Sequence, residues 1–341
     1  MTALLDQLRS ADDFQIELLF PEQEFFLRIQ ATSRLPAVEW VTRHRQMLRE
    51  ALLRYGVVLI RGLDCDRKAF GTIAERLEPG EFDYTAGSGP HTSVDANVFT
   101  IDVPGSMALP QHNEMAYNLY WPMHVLFFCE QPPAPGTGGT TSVCDARQFL
   151  RDMNPTILDP FSKFGIQYVR NFPKNMPYKS IGDTFGTSDR DKVNAICAER
   201  KIEPIWINDD HLQIRQYATA VRRHPVTAEE SFFSSVCVCH PAGWWDLLRR
   251  AYPAASLPRS QDEIWQTALY GNGDPIPDDV IHHLLHAYEH REYHVMWERS
   301  DILYIDNMRA SHGRRACTGP RAILGSFRTS MSMRQLEAGH S

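Results

Sequence analysis

The sequence lacks the features that mark membrane proteins, nucleic-acid-binding proteins and disulfide-rich secreted proteins. No apolar run reaches the ~18 residues of a membrane-spanning helix, and the opening stretch MTALLDQLRSADDF has no basic segment followed by an apolar one. The net charge is −7 without long blocks of like charge, so neither nucleic acid nor a membrane is expected as a partner. The 7 cysteines are scattered and form no C-x-x-C pair, which predicts reduced thiols. We therefore expect a cytoplasmic protein that acts on a small molecule.

The order of predicted elements favours a mainly β fold with flanking helices. Predicted helices cover 38–55, 69–77 and 278–291, and predicted strands cover 57–60, 98–103, 123–130, 301–306 and 322–330. This order is not the strand-helix alternation that builds parallel sheets. A closed or double-sheet antiparallel architecture fits better, because it encloses a ligand between inward-facing side chains.

Two His-x-Glu pairs suggest metal ligands, and their local structure separates them. A chain with 14 histidines and 42 acidic residues contains such pairs by chance, so their number proves nothing. His290 belongs to the predicted helix 278–291, where residues two apart point in different directions. His112 and Glu114 lie in a stretch that leads into a strand, where alternate side chains share one face. His112 and Glu114 are therefore the candidate metal ligands.

A second histidine must come from elsewhere in the chain, and His312 follows a predicted strand and the turn-forming Asp306-Asn307. Two imidazoles and one carboxylate on one face of an ion leave three positions open, which suits non-haem Fe(II) and lets a co-substrate and dioxygen bind together. Arg321, at the start of the last predicted strand, has a guanidinium fork that could anchor the far carboxylate of a keto acid. Taken alone, Arg321 is more often a member of a surface salt bridge.

Five motifs together resemble one known enzyme family. They are HNEMAY (112–117), FFC with GTGGTT (127–129 and 136–141), LYGNGDPI (269–276), DILYIDNMRASHGRR (301–315) and GPRAILGSF (319–327). In this order they resemble the TauD/TfdA-like family of Fe(II)- and 2-oxoglutarate-dependent oxygenases. Within that family they are most similar to the SyrP-like, clavaminate synthase-like branch, which modifies amino acids, some of them tethered to a carrier protein. The resemblance covers roughly residues 35–330.

The resemblance implies the cofactors Fe(II), 2-oxoglutarate and O₂. It implies iron on His112, Glu114 and His312, and 2-oxoglutarate held by Arg321 with help from the hydroxyl of Thr141. The implied fold is a double-stranded β-helix, a distorted jelly roll of the cupin type. That fold agrees with the strand-rich pattern above.

We predict a single oxygenase domain over residues 1–341. Within it, residues 1–80 form a supporting segment of helices and strands, and residues 98–150 and 290–332 form the core strands that carry the metal site. Residues 151–235 mix polar loops, prolines and weak periodicity, and we interpret them as an insertion that covers the site as a lid.

The expected reaction is oxidation of an unactivated C–H bond, with hydroxylation as the first expectation. The substrate would be an amino acid or an amino-acid-derived molecule, free or carrier-tethered, in specialised metabolism such as antibiotic biosynthesis. Asn113, Tyr117 and Arg309 are candidate substrate contacts. The basic run of Arg309, Arg314, Arg315, Arg321 and Arg328 could dock an acidic carrier protein or could be a solvated rim.

Two positions narrow the chemistry that the resemblance implies. Related halogenases replace the carboxylate ligand with a small residue, and Glu114 is present here, so halogenation is not expected. In several relatives a second arginine grips an acidic group of the substrate, and this chain has Gly325 at that position. A taurine-like sulfonate substrate is therefore not expected.

Two other functions stay open from the residues alone. His286-x-x-Glu289-His290 matches the H-x-x-E-H pattern of inverted zinc peptidases, whose two histidines share a helix face. Such an enzyme needs a third ligand downstream, for which only Glu292, Glu298 and Glu337 remain. The second alternative is a non-catalytic jelly-roll binding protein that retains the pocket and releases no succinate.

Overall fold

The structure is a computed structural model that describes residues 8–9, 11–95, 98–174, 178–251 and 264–338. Its strands are β1 (Phe14–Phe20), β2 (Phe25–Ala31), β3 (Val57–Arg61), β4 (His91–Asp95), β5 (Val98–Ile101), β6 (Leu109–His112), β7 (Tyr120–Gln131), β8 (Thr141–Asp145), β9 (Ile166–Phe172), β10 (Glu203–Asn208), β11 (His211–Ala218), β12 (Val221–Arg223), β13 (Glu230–Phe232), β14 (Gln266–Tyr270), β15 (Tyr293–Val295), β16 (Ile302–Asp306), β17 (Ala310–Arg314) and β18 (Ala322–Ser332).

Helices flank these strands. They are α1 (Ala37–Tyr55), α2 (Arg67–Leu77), α3 (Ala146–Asp152), α4 (Pro155–Phe164), α5 (Ile181–Phe185), α6 (Arg190–Glu199), α7 (Val236–Cys239), α8 (Pro241–Ala251), α9 (Asp278–Glu289) and α10 (Met333–Ala338). In the part of the chain that the structure describes, none of the helices is both long enough and apolar enough to cross a bilayer.

Two sheets face each other and enclose the site. The large sheet has the order β1-β2-β3-β16-β7-β18-β5-β4, and the small sheet has the order β15-β8-β17-β6. Neighbouring strands in both sheets are antiparallel, except that β2 runs parallel to β3. Inward-facing residues of both sheets form one buried cluster, which includes Phe127 and Leu303 of the large sheet and Val143 of the small sheet. The structure confirms the expected mainly β jelly-roll fold.

The strands of the large sheet bury both faces. In β7, Val125 and Phe127 point toward the small sheet, whereas Leu126 and Phe128 point toward the helices. This is the period-2 alternation of a strand. Because each face has a hydrophobic partner layer, β7 is a continuous apolar run, as the sequence MHVLFFCE predicted.

Helix α1 covers the outer face of the large sheet. It buries Trp40, Leu48, Leu52 and Tyr55 almost completely, at spacings of one helix face. Full burial of each large apolar side chain is worth ~1.5–3 kcal/mol. The helix ends at Gly56, whose φ of 72° lies in the left-handed region and whose N–H bonds to the carbonyl of Leu52. The predicted helix 38–55 and its glycine stop are therefore confirmed.

Residues 151–235 build most of a further four-stranded sheet, with the order β10-β11-β9-β14. Its edge strand β14 comes from residues 266–270, beyond the predicted insertion. From this segment Tyr178 and Ser235 reach the central cavity. The role of residues 151–235 as a lid, and the division of the chain into supporting and core segments, stay predictions.

Several strands carry no clear signal in the sequence analysis. The sequence analysis did not predict seven strands of the two facing sheets, namely β1, β2, β4, β6, β8, β15 and β17. His312 follows the strand 301–306 and a turn at 307–309, as expected, and it lies in β17, a strand that was not predicted. The short stretch ASHGR has little β-branched content, so its strand state depends on pairing with β6 and β8.

Candidate active site

His112 and His312 lie directly opposite each other on neighbouring strands of the small sheet. His112 is the last residue of β6, His312 is the central residue of β17, and the two are antiparallel register partners. Directly opposed residues place their side chains on the same face, ~5 Å apart. The two imidazole ring centres are 4.5 Å apart. Strand register therefore brings together two histidines that are far apart in sequence.

Glu114 joins them from a turn. β6 ends at His112, so Glu114 lies beyond the strand expected to carry both residues. The backbone of Met115 has a φ of 53°, in the left-handed region that is uncommon for residues with a side chain, and the chain turns away there. Glu114 still faces the same side as His112.

Two buried asparagines hold this turn against the turn between β16 and β17. The side chain of Asn307 accepts a hydrogen bond from the backbone N–H of Glu114 at 2.8 Å and donates one to its carbonyl at 3.0 Å. Asn113 donates in return to the carbonyls of Asn307 and Ala310, at 2.8 and 3.2 Å. Both asparagines are fully buried, where an unmade hydrogen bond costs ~1–3 kcal/mol. These hydrogen bonds therefore fix the position of Glu114 relative to β17.

Three potential ligand atoms converge in the cavity. Oε2 of Glu114 is 3.8 Å from Nε2 of His112 and 3.9 Å from Nε2 of His312. The three atoms lie within 4.8 Å of one another, and no other cluster of three or more His, Cys, Asp or Glu in the described residues is so spaced. Bonds of ~2.0–2.2 Å between a metal and nitrogen or oxygen ligands are compatible with one ion between them.

The chemical state of both histidines leaves lone pairs for a metal. Nδ1 of His112 is 2.8 Å from the carbonyl of Pro110, which only accepts, so Nδ1 is a donor and Nε2 is the nitrogen that can bind a metal. Burial lowers the pKa of His312 well below its ordinary value, and the neighbouring His112 lowers it further. His312 is therefore neutral at physiological pH.

The triad opens into a cavity of about 90 Å³ between the two sheets. Aromatic and aliphatic side chains make up much of its wall, including Tyr84, Phe99, Ile101, Phe127, Tyr178 and Phe327. Such a wall excludes water from a bound substrate and strengthens electrostatic interactions inside. The cavity also receives Arg321 and Thr141, the two residues that the resemblance assigned to 2-oxoglutarate.

Arg321 and Thr141 form one polar unit. Arg321 donates to the carbonyl of Gly139 at 2.7 Å and to Oγ1 of Thr141 at 3.1 Å, and Trp297 donates to the same hydroxyl oxygen at 3.2 Å. Both lone pairs of the threonine oxygen are then used, so its proton is free to donate to an anion. Burial lowers the pKa of Arg321 to about 10, and Arg314 contributes to the shift. The guanidinium stays charged at neutral pH and has no ion pair with a described carboxylate.

Gly139, in the GTGGTT motif, leaves room for the side chain of Arg321. Gly139 has a φ of 79°, and a Cβ there would lie 2.8 Å from Sγ of Cys317 and 3.1 Å from Cδ of Arg321. A residue with a side chain would therefore press against Cys317 and Arg321. The GTGGTT motif thus supports the anion site, because the backbone carbonyl of Gly139 accepts a hydrogen bond from Arg321.

Gly325 of β18, the position where several relatives have a second arginine, packs against an aromatic ring of the neighbouring strand. Phe99 of β5 is its register partner, and a Cβ on Gly325 would lie 2.6 Å from the Phe99 ring. The phenyl ring thus packs directly on the glycine. Arg314 also lines the cavity, but its guanidinium donates to the carbonyls of Val103, Pro104 and Met107 at 3.2, 2.8 and 2.7 Å.

The three candidate substrate contacts have different positions. Tyr117 lines the cavity, and its hydroxyl accepts from the backbone N–H of Ser88 at 2.6 Å. Asn113 does not reach the cavity wall, because its amide is fully used by the backbone of neighbouring turns. Arg309 is buried outside the cavity and pairs with Glu229 at 2.8 Å. The structure thus brings Tyr117 to the site and places Asn113 and Arg309 in supporting structure.

Sequence reasoning missed Asn307 and Tyr84. The sequence indicated only that Asp306 and Asn307 form a turn. It did not indicate that the Asn307 side chain hydrogen-bonds to the backbone of Glu114. Tyr84 lines the cavity and contacts Glu114, and its only signal is the glycine-rich stretch YTAGSG (84–89). Such a stretch also occurs in ordinary surface loops.

The H-x-x-E-H motif does not form a zinc peptidase site. His286 and His290 have their Nε2 atoms 2.9 Å apart on an exposed face at the end of α9. The described residues offer no third ligand at this position, since the only group of that kind is the triad. The basic run does not form a docking surface or a solvated rim either, because Arg309, Arg314 and Arg328 are 3%, 8% and 1% exposed.

Comparisons with known proteins agree with this site. The family described as taurine catabolism dioxygenase TauD, TfdA family matches residues 26–327. The chain belongs to this family and is an Fe(II)- and 2-oxoglutarate-dependent dioxygenase. Family membership confirms the resemblance that the five motifs carried.

Individual relatives match over most of their length. The dapdiamide synthesis protein DdaC of Enterobacter agglomerans is 30% identical over 276 residues, which cover 80% of this chain and 82% of DdaC. A clavaminate synthase-like protein of Arabidopsis thaliana is 26% identical over 298 residues, which cover 84% of this chain and 86% of that protein. The crystal structure of PvcB from Pseudomonas aeruginosa has a TM-score of 0.53 at 14% identity, covers 94% of this chain and 92% of PvcB, and shows a shared fold.

Proposed function

We propose that His112, Glu114 and His312 hold Fe(II), that Arg321 and Thr141 hold 2-oxoglutarate, and that the enzyme oxidises an unactivated C–H bond of a small amino-acid-derived molecule. Hydroxylation is the expected outcome. The observation that carries the proposal is the convergence of three ligand atoms, within 4.8 Å of one another, in a buried cavity that also contains a guanidinium without a carboxylate partner among the described residues.

The residues present fit the metal. Two imidazoles and one carboxylate form the donor set of non-haem Fe(II) enzymes and leave open positions for a keto acid and dioxygen. The hydrogen bond from His112 to Pro110 orients its ring, as a supporting partner typically does for a metal-bound histidine. With O₂, bound Fe(II) and 2-oxoglutarate supply the oxidising power, and the keto acid leaves as succinate and CO₂.

The residues present also fit the keto acid. Arg321 retains N–H groups beyond those that bond to Gly139 and Thr141, and a guanidinium binds a carboxylate through two parallel hydrogen bonds. The proton of Thr141 adds a third donor. Together they would hold the carboxylate that is remote from the metal, which orients the co-substrate.

The remaining wall of the cavity would position the substrate. Tyr117 and the aromatic residues around Phe99 offer a phenol and several ring faces. The relative DdaC is named for dapdiamide synthesis, which supports a role for this enzyme in the biosynthesis of a specialised metabolite. The proposal covers a free substrate and one tethered to a carrier protein.

Anaerobic addition of Fe(II) and 2-oxoglutarate should give the weak visible charge-transfer band of a chelated keto acid. His112→Ala should abolish the band, because only two ligand atoms remain. His286→Ala, which removes an exposed histidine of the α9 pair, should retain it. A band that persists in His112→Ala refutes the ligand assignment.

A succinate-release screen over free amino acids and carrier-bound aminoacyl thioesters tests the substrate class. We expect a compound of one of these groups to stimulate succinate formation over the background without substrate. If none does, the proposed substrate class is wrong, although the metal assignment stands on the charge-transfer band.

A further inference from the structure

Tyr84 makes a direct hydrogen bond to the carboxylate of the triad. Its hydroxyl is 3.0 Å from Oε1 of Glu114. The other carboxylate oxygen, Oε2, is the atom that lies 3.8 and 3.9 Å from the two histidine Nε2 atoms. The two oxygens of Glu114 therefore have different partners.

The direction of this hydrogen bond follows from the surroundings of the phenol. The backbone N–H of Gly89 is 3.3 Å from the Tyr84 hydroxyl oxygen, and an N–H group only donates. The phenol oxygen accepts there, so its own proton is directed at Glu114.

The ring of Tyr84 is packed from several sides. It stacks on Phe327 with ring centres 5.3 Å apart and meets the His91 ring edge-on at 4.6 Å. Gly87 lies directly against it, and a Cβ on Gly87 would come within 2.2 Å of a ring carbon. Only glycine fits this position without displacing the tyrosine.

Two buried basic side chains fix the tyrosine loop, which we define as residues 84–89. Nζ of Lys179 donates to the carbonyls of Gly87 and Gly89 at 2.8 and 3.1 Å. Arg170 donates to the carbonyls of Ala86 and Gly87 at 2.8 and 3.2 Å. The Tyr84 hydroxyl is therefore held in place by its ring contacts and by its own backbone.

We infer that Tyr84 is a positioning residue that holds Oε1 of Glu114 away from the metal, so that the carboxylate contributes a single oxygen. This inference rests on the proposed function. The triad leaves three positions, of which the keto acid takes two and dioxygen takes one. A carboxylate bound through both oxygens would take one of these positions. Tyr84 thereby keeps the place of 2-oxoglutarate open.

Replacement Tyr84→Phe separates this role from others, because it removes the hydroxyl and retains the ring. We expect Fe(II) affinity to stay within about twofold or to rise, since all three ligands remain. The dissociation constant for 2-oxoglutarate, from anaerobic titration of the charge-transfer band, should rise about tenfold, the effect of losing one hydrogen bond to a charged group. Equal weakening of both affinities indicates a general structural role, and two unchanged affinities indicate no role toward the metal; either result overturns the inference.

Tyr304→Phe is the matched control. Its phenol is also buried and also donates to a carboxylate, that of Glu78, but Tyr304 belongs to the core on the helix side of the large sheet. This variant should leave both affinities unchanged. Gly87→Ala gives an independent route to the same effect, since the added methyl group displaces the ring, and it should reproduce the result of Tyr84→Phe. Affinities in Gly87→Ala that match the wild type contradict the inference.

Measurements on the wild-type protein separate a wrong ligand assignment from a wrong role for Tyr84. If it shows no charge-transfer band, the ligand assignment fails and this inference fails with it. If the wild type shows the band and Tyr84→Phe binds 2-oxoglutarate as tightly, the ligand assignment stands and only the role of Tyr84 is wrong.

Discussion

Buried positive charge is the main electrostatic feature of individual residues around the cavity. Arg170, Lys179 and Arg314 are 5%, 5% and 8% exposed, and each donates to backbone carbonyls of loops beside the cavity. Burial lowers the pKa of all three. Carbonyl groups compensate part of the desolvation cost. Arg314 and Arg321 line the cavity itself, so the site favours an anionic ligand.

Lys179 makes the stability of the protein depend on pH. Burial lowers its pKa from 10.5 to about 7, and the nearby charge of Arg170 adds to the shift. Between about pH 7 and 10.5 the unfolded chain binds this proton and the folded protein does not, so raising the pH favours the folded state. The free energy of unfolding of the wild type, relative to Lys179→Met, should rise by up to ~1.4 kcal/mol per pH unit in this window. Denaturant titrations from pH 7 to 10 measure it, and a constant difference contradicts the prediction.

Secondary-structure elements place the functional residues through their register. β17 sets His312 opposite His112 on one side and Val143 on the other, and it sets Arg314 opposite Thr141. A shift of one residue in either pairing would turn His312 toward Gln111 and Ser142, on the other face of the small sheet. The buried hydrogen bonds of Gln111 to Ser142 and of Ser311 to Gln111, both 2.8 Å, occupy that face and oppose such a shift.

The pairing of β18 with β5 explains why an arginine is excluded at position 325. Gly325→Arg should destabilise the fold by ~1–3 kcal/mol, because its Cβ would meet the Phe99 ring at 2.6 Å. In the double variant with Phe99→Ala the ring is gone and the added side chain has space. Denaturant unfolding should therefore show that the double variant is more stable than the sum of both changes by more than ~0.5 kcal/mol. If the losses in unfolding free energy of the two single variants simply add in the double variant, the Phe99 ring is not what excludes arginine at position 325.

At the scale of the whole molecule, the site joins two parts of the chain that are distant in sequence. The hydrogen bond from the Glu114 backbone to Asn307 spans 193 residues. A metal on the triad would link the same two segments. Because the unfolded chain has no preformed triad, the binding free energy adds to the stability of the fold.

Mn(II), a redox-stable stand-in for Fe(II), should stabilise the protein in thermal and denaturant unfolding. At a concentration about 100 times its dissociation constant, the increment in the free energy of unfolding should be ~2.7 kcal/mol, and EDTA should reverse it. His312→Ala should lose the increment, whereas His286→Ala should retain it. For each variant the free energy of unfolding with Mn(II) is compared with that of the same variant without it. A change in the stability of the metal-free variant therefore does not affect the result. An equal increment in His312→Ala contradicts the assignment of His312.

Residue types and local periodicity determined a large part of this protein. Apolar spacing predicted a helix over 38–55 and strands that match β3, β7, β16 and β18. Strand alternation and the family motifs singled out the site residues His112, Glu114, His312, Arg321 and Thr141. Such features are local, or are carried by motifs in a fixed order, and they do not require the coordinates.

Only the tertiary structure decided which polar side chains reach the cavity. Asn113 and Arg309 flank the triad in sequence, yet their hydrogen bonds and ion pair hold them in supporting structure, whereas Tyr84, from a loop with no clear signal, contacts Glu114. The orientation of these side chains depends on strand register, on a left-handed turn at Met115 and on partners more than a hundred residues away in sequence. Local sequence does not encode such partners, because each contact exists only after both sheets have formed.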